Sequence, residues 1–176
     1  LEKFNISIGI TDDFMNAVIN NDTWNLKFNG VVHKTMDAQE LMMLIVENAW
    51  KKAEPGAIFL DTINRKNNLW YCENISAPNP CGELPLPPFG ACMLGAVNLA
   101  AFVKDPFGDN PDFDWSTFEK TVQTAVRFLD NTIDVCYFPL EKQREVALSR
   151  RRVGLGVMGL GSALSMLKVV YGSEES

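Results

Sequence analysis

The stretch that most restricts how this chain can fold is the proline-rich run over residues 77–88, which contains Asn79-Pro80-Cys81-Gly82-Glu83. Proline lacks a backbone N–H and fixes its own φ angle, so such a run can lie neither inside a helix nor in a central strand. The sequence therefore predicts a loop of restricted shape that displays its side chains.

Three functional side chains of this loop stand at alternate positions. In an extended segment side-chain direction repeats every second residue, so Asn79, Cys81 and Glu83 would project the same way. An amide, a thiol and a carboxyl would then face one small molecule. The alternative is a stiff surface loop with a buried structural cysteine, because free cysteine is among the most buried residue types.

Composition is that of an ordinary globular chain and argues against several classes of function. The 176 residues fit one domain, and 47% of them are hydrophobic. A net charge of −6 argues against a nucleic-acid partner, since the basic cluster Arg150-Arg151-Arg152 is short. No apolar run approaches the roughly 20 residues that cross a bilayer, and no signal peptide is recognisable. We therefore expect a cytoplasmic protein without a membrane partner.

The cysteines and the histidine predict neither a disulfide scaffold nor a metal site. Cys72, Cys81, Cys92 and Cys136 form no C-x-x-C pair, so we expect reduced thiols. His33 is the sole histidine, and no cluster of His, Asp and Glu indicates zinc or di-iron. Cys136 continues the apolar stripe of a long predicted helix, which favours inert packing.

Strand and helix patterns alternate along the whole chain, which predicts an α/β fold with largely parallel strands. Asn29-Gly30 predicts a two-residue hairpin turn, and Thr11 or Asp12, Asp37 and Asp114 are candidate helix caps. The predicted helices cover residues 12–20, 38–53, 115–137, 141–150 and 162–168. The predicted strands cover residues 4–10, 24–28, 31–35, 57–60, 92–97 and 153–159.

Two further patterns bear on function. Gly154, Gly156 and Gly159 imitate a dinucleotide-binding fingerprint, but they lie within a predicted strand and no acidic strand follows at the usual distance, so we reject that function. Asp61 follows the carboxyl end of a predicted strand, where α/β folds collect functional groups. A capped turn is the favoured interpretation for this residue.

The motif Asn79-Pro80-Cys81-Gly82-Glu83 resembles the active-site finger loop of the ribonucleotide reductase large subunit. Gly82 and the Leu-Pro-Leu-Pro-Pro continuation are most similar to the adenosylcobalamin-dependent class II enzymes. Pro78 is a departure, because relatives commonly have threonine or serine there. Further similar stretches follow the family's order at residues 4–7, 11–15, 54–64, 91–99, 151–160 and 171–175.

The resemblance implies a fold and an extent. Residues 1–176 would be part of a catalytic domain, a ten-stranded α/β barrel with the finger loop, about residues 77–91, threaded through its centre. The chain would then be an internal piece of a longer polypeptide.

The resemblance also implies roles in the reduction of ribonucleotides to 2'-deoxyribonucleotides. Cys81 would form the thiyl radical that abstracts the 3'-hydrogen, Glu83 would accept the 3'-hydroxyl proton, and Asn79 would hold the ribose hydroxyls. Cys92 would be one half of a reducing dithiol whose other half lies upstream of this chain. The implied substrate-binding residues are Asn79, Pro80, Gly82 and Glu83.

The implied cofactor is adenosylcobalamin. The implied partners are the ribonucleotide substrate, the remaining segments of the same enzyme, a thioredoxin-like reductant and a second copy in a homodimer. The alternatives are a class I large subunit fed by a separate radical-generating subunit, a glycyl-radical enzyme, and a non-catalytic domain whose proline-rich loop docks a partner.

Overall fold

Helices and strands both occur in the computed structural model, which describes residues 4–176. The chain divides into two units, one ending at Pro88 and the other beginning at Phe89. Both units contain helices and strands, so the predicted mixed α/β class is confirmed. Within residues 4–176, every helix is too short or too polar to span a bilayer.

The described part of the first unit, residues 4–88, contains three pairs of strands. Its elements are β1 (Ser7–Ile10), α1 (Asp12–Asn20), β2 (Thr23–Phe28), β3 (Val31–Asp37), α2 (Ala38–Lys52), β4 (Gly56–Phe59), α3 (Leu60–Lys66), β5 (Ala77–Pro78) and β6 (Pro85–Leu86). Strands β1 and β4 are parallel, with Ser7 opposite Gly56. Strands β2 and β3, and likewise β5 and β6, form antiparallel pairs.

Local side-chain chemistry sets where these elements begin and turn. The Thr11 hydroxyl accepts a hydrogen bond from the N–H of Phe14 at 3.2 Å and so caps α1. The Asp37 carboxylate accepts from two first-turn amides of α2 at 2.8 and 3.0 Å. Asn29 and Gly30 have φ angles of 48° and 78°, as the predicted hairpin turn requires.

The core of the first unit is built from β1, α1 and α2. The rings of Phe14 and Trp24 meet edge to face, with centroids 5.2 Å apart, over this core. Its buried residues are Ile10, Phe14, Ala17, Ala38 and Ile45.

The second unit is a long helix packed on a parallel strand pair. Its elements are β7 (Met93–Asn98), a 3₁₀ turn (Leu99–Phe102), β8 (Val103–Lys104), β9 (Asp112–Phe113), α4 (Trp115–Val135), α5 (Glu141–Arg150), β10 (Val153–Met158) and α6 (Leu160–Met166). Strands β7 and β10 are parallel, and α4 packs against both. A Cβ built on Gly95 of β7 would lie 3.5 Å from the methyl groups of Leu129, so strand and helix approach closely there.

The sequence overstated the share of parallel strands. Among the described residues, β1–β4 and β7–β10 are parallel, whereas β2–β3, β5–β6 and β8–β9 are antiparallel. The antiparallel pairs are hairpins or short ladders, which need only a brief connection. Gly154 and Gly156 lie inside β10, which agrees with the rejection of a dinucleotide fingerprint.

The expected burial of Cys136 is wrong. Helix α4 ends at Val135, and Cys136 has extended backbone angles and is exposed. Pro139 disfavours helical geometry for the residue before it, so the helix ends early and the thiol leaves the apolar stripe.

Asp61 does not cap its own turn, although the sequence predicts that role. It lies in the first turn of α3, and its carboxylate accepts a hydrogen bond from the N–H of Asp12, at 2.8 Å. It therefore ties the start of α3 to the start of α1.

Arg151 holds the end of α5 against α4. Its backbone is left-handed, with a φ angle of 47°. Its Nε donates to the Asp130 carboxylate at 2.7 Å, and its two terminal nitrogens donate to Asp134 at 2.8 and 3.1 Å. Hydrogen bonds from Arg151 hold the pKa of both carboxyls below the usual range for aspartate.

Replacing Ile133 tests the packing of α4. Ile133 is 1% exposed, so Ile133→Ala leaves a cavity. We expect the free energy of unfolding to fall by about 2–5 kcal/mol in urea titrations of the intact protein. Val135→Ala is the matched control, because Val135 is 84% exposed. Equal effects of the two substitutions would contradict the described packing.

Replacing Arg151 tests the link between α5 and α4. Because the two aspartate pKa values are lowered in the folded state, the stabilisation is present above the ordinary aspartate pKa of about 3.9 and is lost as the pH falls through the folded values. We expect Arg151→Ala to lower the Tm at pH 7, with a difference from wild type that shrinks in acid.

Arg144→Ala is the control for this measurement. Arg144 forms an exposed pair with Glu141 at 3.6 Å, and its loss should change the Tm little. A difference between wild type and Arg151→Ala that does not depend on pH would disprove the role of the carboxylates.

Candidate active site

The proline-rich run folds as a short hairpin. The N–H of Ser76 donates to the carbonyl of Leu86 at 3.2 Å, and the N–H of Asn79 donates to the carbonyl of Leu84 at 3.0 Å. Pro78 lies opposite Pro85 in the ladder between these two hydrogen bonds. The prolines therefore fall where the ladder needs no donor, which makes this run compatible with a hairpin.

A tight turn closes the tip of the hairpin. The N–H of Gly82 donates to the carbonyl of Asn79 at 3.1 Å, and Gly82 has a φ angle of 85°. This left-handed backbone favours glycine over any residue with a Cβ. The turn leaves the neighbouring thiol of Cys81 exposed, contrary to the alternative of a buried structural cysteine.

The turn also brings Asn79 and Glu83 into contact. The Asn79 side-chain amide donates to the Glu83 carboxylate, and its oxygen accepts from the N–H of Leu84 at 3.0 Å. The expected extended backbone over residues 79–83 is wrong, because the positive φ angle of Gly82 reverses the chain. The amide and the carboxylate meet through this reversal, with the exposed Cys81 between them in sequence.

An open pocket of about 430 Å³ lies beside the hairpin. The hairpin lines it with Pro78, Asn79 and Pro80, and the chain at the start of β1 lines it with Phe4, Asn5 and Ser7. Its volume falls within the range of small-molecule pockets.

Sequence reasoning assigned no role to Asn5 or Ser7. The available signal was the alternation in and just before β1. Ile8 packs on the core, whereas Ser7 at the start of the strand and Asn5 before it are exposed. That alternation could have identified the polar face of the strand, but not the hairpin that lies beside it.

Cys92 belongs to the second unit and lies just before β7, half-buried. Burial raises the pKa of the Cys92 thiol, and the positive charge of Arg152 acts in the opposite direction. The next residue, Met93, donates its N–H to the carbonyl of Arg152 at 3.1 Å. Sequence reasoning did not pair Cys92 with Arg152, because the pairing depends on the β7–β10 register.

The other residues considered for chemistry lie on the surface. Cys72 and Cys136 are exposed, and none of the four cysteines forms a disulfide within the described residues. His33 is exposed on β3, with its ring centroid 6.5 Å from that of Phe28. Within residues 4–176, no group of three or more His, Cys, Asp or Glu residues is placed to hold a metal ion.

Comparison of the amino-acid sequence with known proteins identifies one family. A family model described as "Ribonucleotide reductase, barrel domain" matches residues 1–176. A vitamin B12-dependent ribonucleoside-diphosphate reductase of Thermoplasma acidophilum is 44% identical over 100% of this chain and 23% of its own length. One from Mycobacterium tuberculosis is 42% identical over 100% of this chain and 25% of its own length.

A more distant relative is a ribonucleoside-diphosphate reductase large subunit of African swine fever virus, 32% identical over 79% of this chain and 18% of its own length. The chain thus spans about a quarter of the length of its B12-dependent relatives from Thermoplasma and Mycobacterium. The resemblance first seen in the proline-rich motif is confirmed along the whole chain, and the chain belongs to the ribonucleotide reductase family, within its barrel domain.

Proposed function

We propose that this chain is part of an enzyme that reduces ribonucleotides to 2'-deoxyribonucleotides. The observation that carries the proposal is the hairpin, where an exposed thiol at the tip adjoins a hydrogen-bonded amide and carboxylate beside an open pocket. The names of the relatives, which are ribonucleoside-diphosphate reductases, support a diphosphate substrate.

The proposed setting is a ten-stranded α/β barrel of which residues 1–176 form a part. The family model, which is named for a barrel domain, supports this setting. The parallel pairs β1–β4 and β7–β10 are of the kind that such a barrel contains. Residues 77–91 would be its central finger loop.

The first proposed step uses Cys81. Hydroxide is a poor leaving group, and a radical on the neighbouring carbon makes its departure feasible. The Cys81 thiyl radical takes the 3'-hydrogen atom of the substrate, so that the C3'–H bond breaks and an S–H bond forms. The exposure of Cys81 at a turn fixed by Gly82 supports this role, because the sulfur is accessible while its backbone is held.

The second proposed step uses Glu83 and Asn79. The Glu83 carboxylate accepts the 3'-hydroxyl proton while the 2'-hydroxyl, protonated by a thiol, departs as water. The Asn79 amide donates to a ribose hydroxyl and holds the sugar in place. The hydrogen bond between the two side chains supports their joint action, because both groups already face one another. Pro80 and Gly82 would contact the substrate through the backbone of the turn.

The proposed reducing equivalents come from Cys92 and a second thiol outside this chain. Together they give up two electrons and two hydrogens and form a disulfide. The substrate gains a C2'–H bond in place of its C2'–OH bond and releases one water. Glu83 returns the proton to the 3'-oxygen, and Cys81 returns the hydrogen atom to C3'. A thioredoxin-like reductant then reduces the disulfide. A homodimer and a cytoplasmic location stay predictions.

The proposed initiator is adenosylcobalamin, as the names of the relatives suggest. When bound, this cofactor supplies the radical that removes the thiol hydrogen atom. Among the described residues, the Cys81 thiol fits this chemistry, because it is exposed at the tip of the hairpin and has a hydrogen atom to give to such a radical. The alternative to this cofactor is a separate radical-generating subunit, and the similarity to the viral large subunit supports that alternative.

Replacing Cys81 tests the proposed radical step. Serine keeps the size of the side chain, but its O–H bond is too strong for hydrogen-atom exchange. In the intact enzyme we expect Cys81→Ser to lower turnover by more than about 10³-fold, the scale on which the loss of a residue that bonds to substrate acts. Nucleotide affinity, measured by calorimetry, should be retained.

The matched control is Cys136→Ser, since Cys136 is also an exposed free thiol. It should leave turnover unchanged. Full activity of Cys81→Ser would disprove the assigned role.

Cofactor dependence tests the proposed initiator. The intact, cobalamin-free enzyme should form deoxynucleotide only after adenosylcobalamin is added, as followed by chromatography of the products. Hydroxocobalamin is the control, because it has no adenosyl group to release. Activity that requires a separate metalloprotein subunit instead would select the class I alternative.

A further inference from the structure

The register of β7 and β10 places two residues around Cys92. Met93 lies opposite Val153, and Leu94 lies opposite Gly154. The residue before Val153 is Arg152, whose carbonyl accepts the N–H of Met93 at 3.1 Å. The strand pairing therefore sets Arg152 across from the segment that carries the thiol.

Gly154 leaves space beside the sulfur. A Cβ built on Gly154 would lie 3.6 Å from the Cys92 Sγ and 2.7 Å from the Leu94 Cδ2. Even the smallest side chain at this position would displace Leu94 and cover one side of the sulfur. A second sulfur must come within about 2.05 Å of the first to form a disulfide, so free space beside Cys92 matters for that reaction.

Arg152 supplies a positive charge to the same sulfur. Half-burial of Cys92 disfavours its thiolate and raises the thiol pKa, and Arg152 is the charged side chain of the described residues that opposes this effect. In thiol–disulfide exchange a sulfur leaves faster when its thiol has a lower pKa. A cation beside Cys92 would therefore speed its release from a disulfide.

We propose that Arg152 and Gly154 are positioning residues for Cys92, with Arg152 stabilising its thiolate and Gly154 keeping the sulfur open to another sulfur. This inference rests on the proposed role of Cys92 as half of the reducing dithiol. It goes beyond that role by identifying the residues that make the spent disulfide reducible.

The reaction at which they act is the reduction of that disulfide. A thiolate of an external dithiol attacks the sulfur bonded to Cys92, and Cys92 leaves as a thiolate beside Arg152. The second thiol of the reductant then attacks the mixed disulfide. The external dithiol becomes a disulfide, and the two enzyme sulfurs gain two electrons and take up two protons.

The charge of Arg152 is tested by the pH dependence of Cys92 alkylation. The intact reduced enzyme is treated with iodoacetamide, and peptide mass spectrometry follows Cys92 apart from the other cysteines. We expect Arg152→Gln to move the midpoint of the profile to higher pH and to slow disulfide reduction by dithiothreitol several-fold. Arg152→Lys should restore the midpoint, and the control Arg144→Gln should leave it unchanged.

A second measurement needs no variant of Arg152. Added salt screens its charge, so the alkylation midpoint of the wild-type enzyme should rise with ionic strength. An unchanged midpoint, either in Arg152→Gln or across the salt series, would overturn the role of Arg152. These readouts do not depend on turnover. Full turnover of Cys92→Ser would instead remove the proposed redox role, whatever the alkylation profile shows.

The role of the space beside Gly154 is tested by comparing Leu94→Ala with a double variant that also carries Gly154→Ala. Leu94→Ala removes the side chain that a Cβ at position 154 would strike. In that background, Gly154→Ala should slow Cys92 alkylation several-fold at every pH without moving the midpoint. Equal alkylation rates for Leu94→Ala and the double variant would overturn the role of Gly154.

Discussion

The hydrogen bond from the N–H of Gly82 to the carbonyl of Asn79 is the constraint on which the candidate active site depends. The prolines leave the hairpin few backbone hydrogen bonds, so the direction of the chain is decided at this turn. The turn requires the positive φ angle of Gly82. Once it forms, the amide and the carboxylate must lie on the two arms of the hairpin, and the thiol must lie at the tip.

Each unit holds its candidate reactive group just outside a regular element. Cys81 lies between β5 and β6, and Cys92 precedes β7. Each unit also contains one parallel pair, β1–β4 in the first and β7–β10 in the second, and β7 directly follows Cys92. Loops held by such scaffolds are a frequent location for binding and catalysis, because their side chains are both accessible and positioned.

Local features could be predicted from the sequence, and features set by distant pairing could not. The caps Thr11 and Asp37 and the Asn29-Gly30 turn act within a few residues, and the structure has all of them. Alternation in an extended chain predicts that Asn79, Cys81 and Glu83 project the same way, whereas in the structure Asn79 and Glu83 meet across a turn. The place of Arg152 opposite the Cys92 segment follows from the β7–β10 register, which no local pattern specifies.

Under the proposed function, the hydrogen bond between Asn79 and Glu83 has a consequence for the binding of a sugar. In this structure the exposed Glu83 carboxylate already accepts a hydrogen bond from within the protein. A ribose hydroxyl that binds Glu83 would have to replace the Asn79 amide as its hydrogen-bond donor. The number of hydrogen bonds to the Glu83 carboxylate would then change little when the sugar binds. Selectivity would arise from how closely the sugar hydroxyl takes the position of the Asn79 amide.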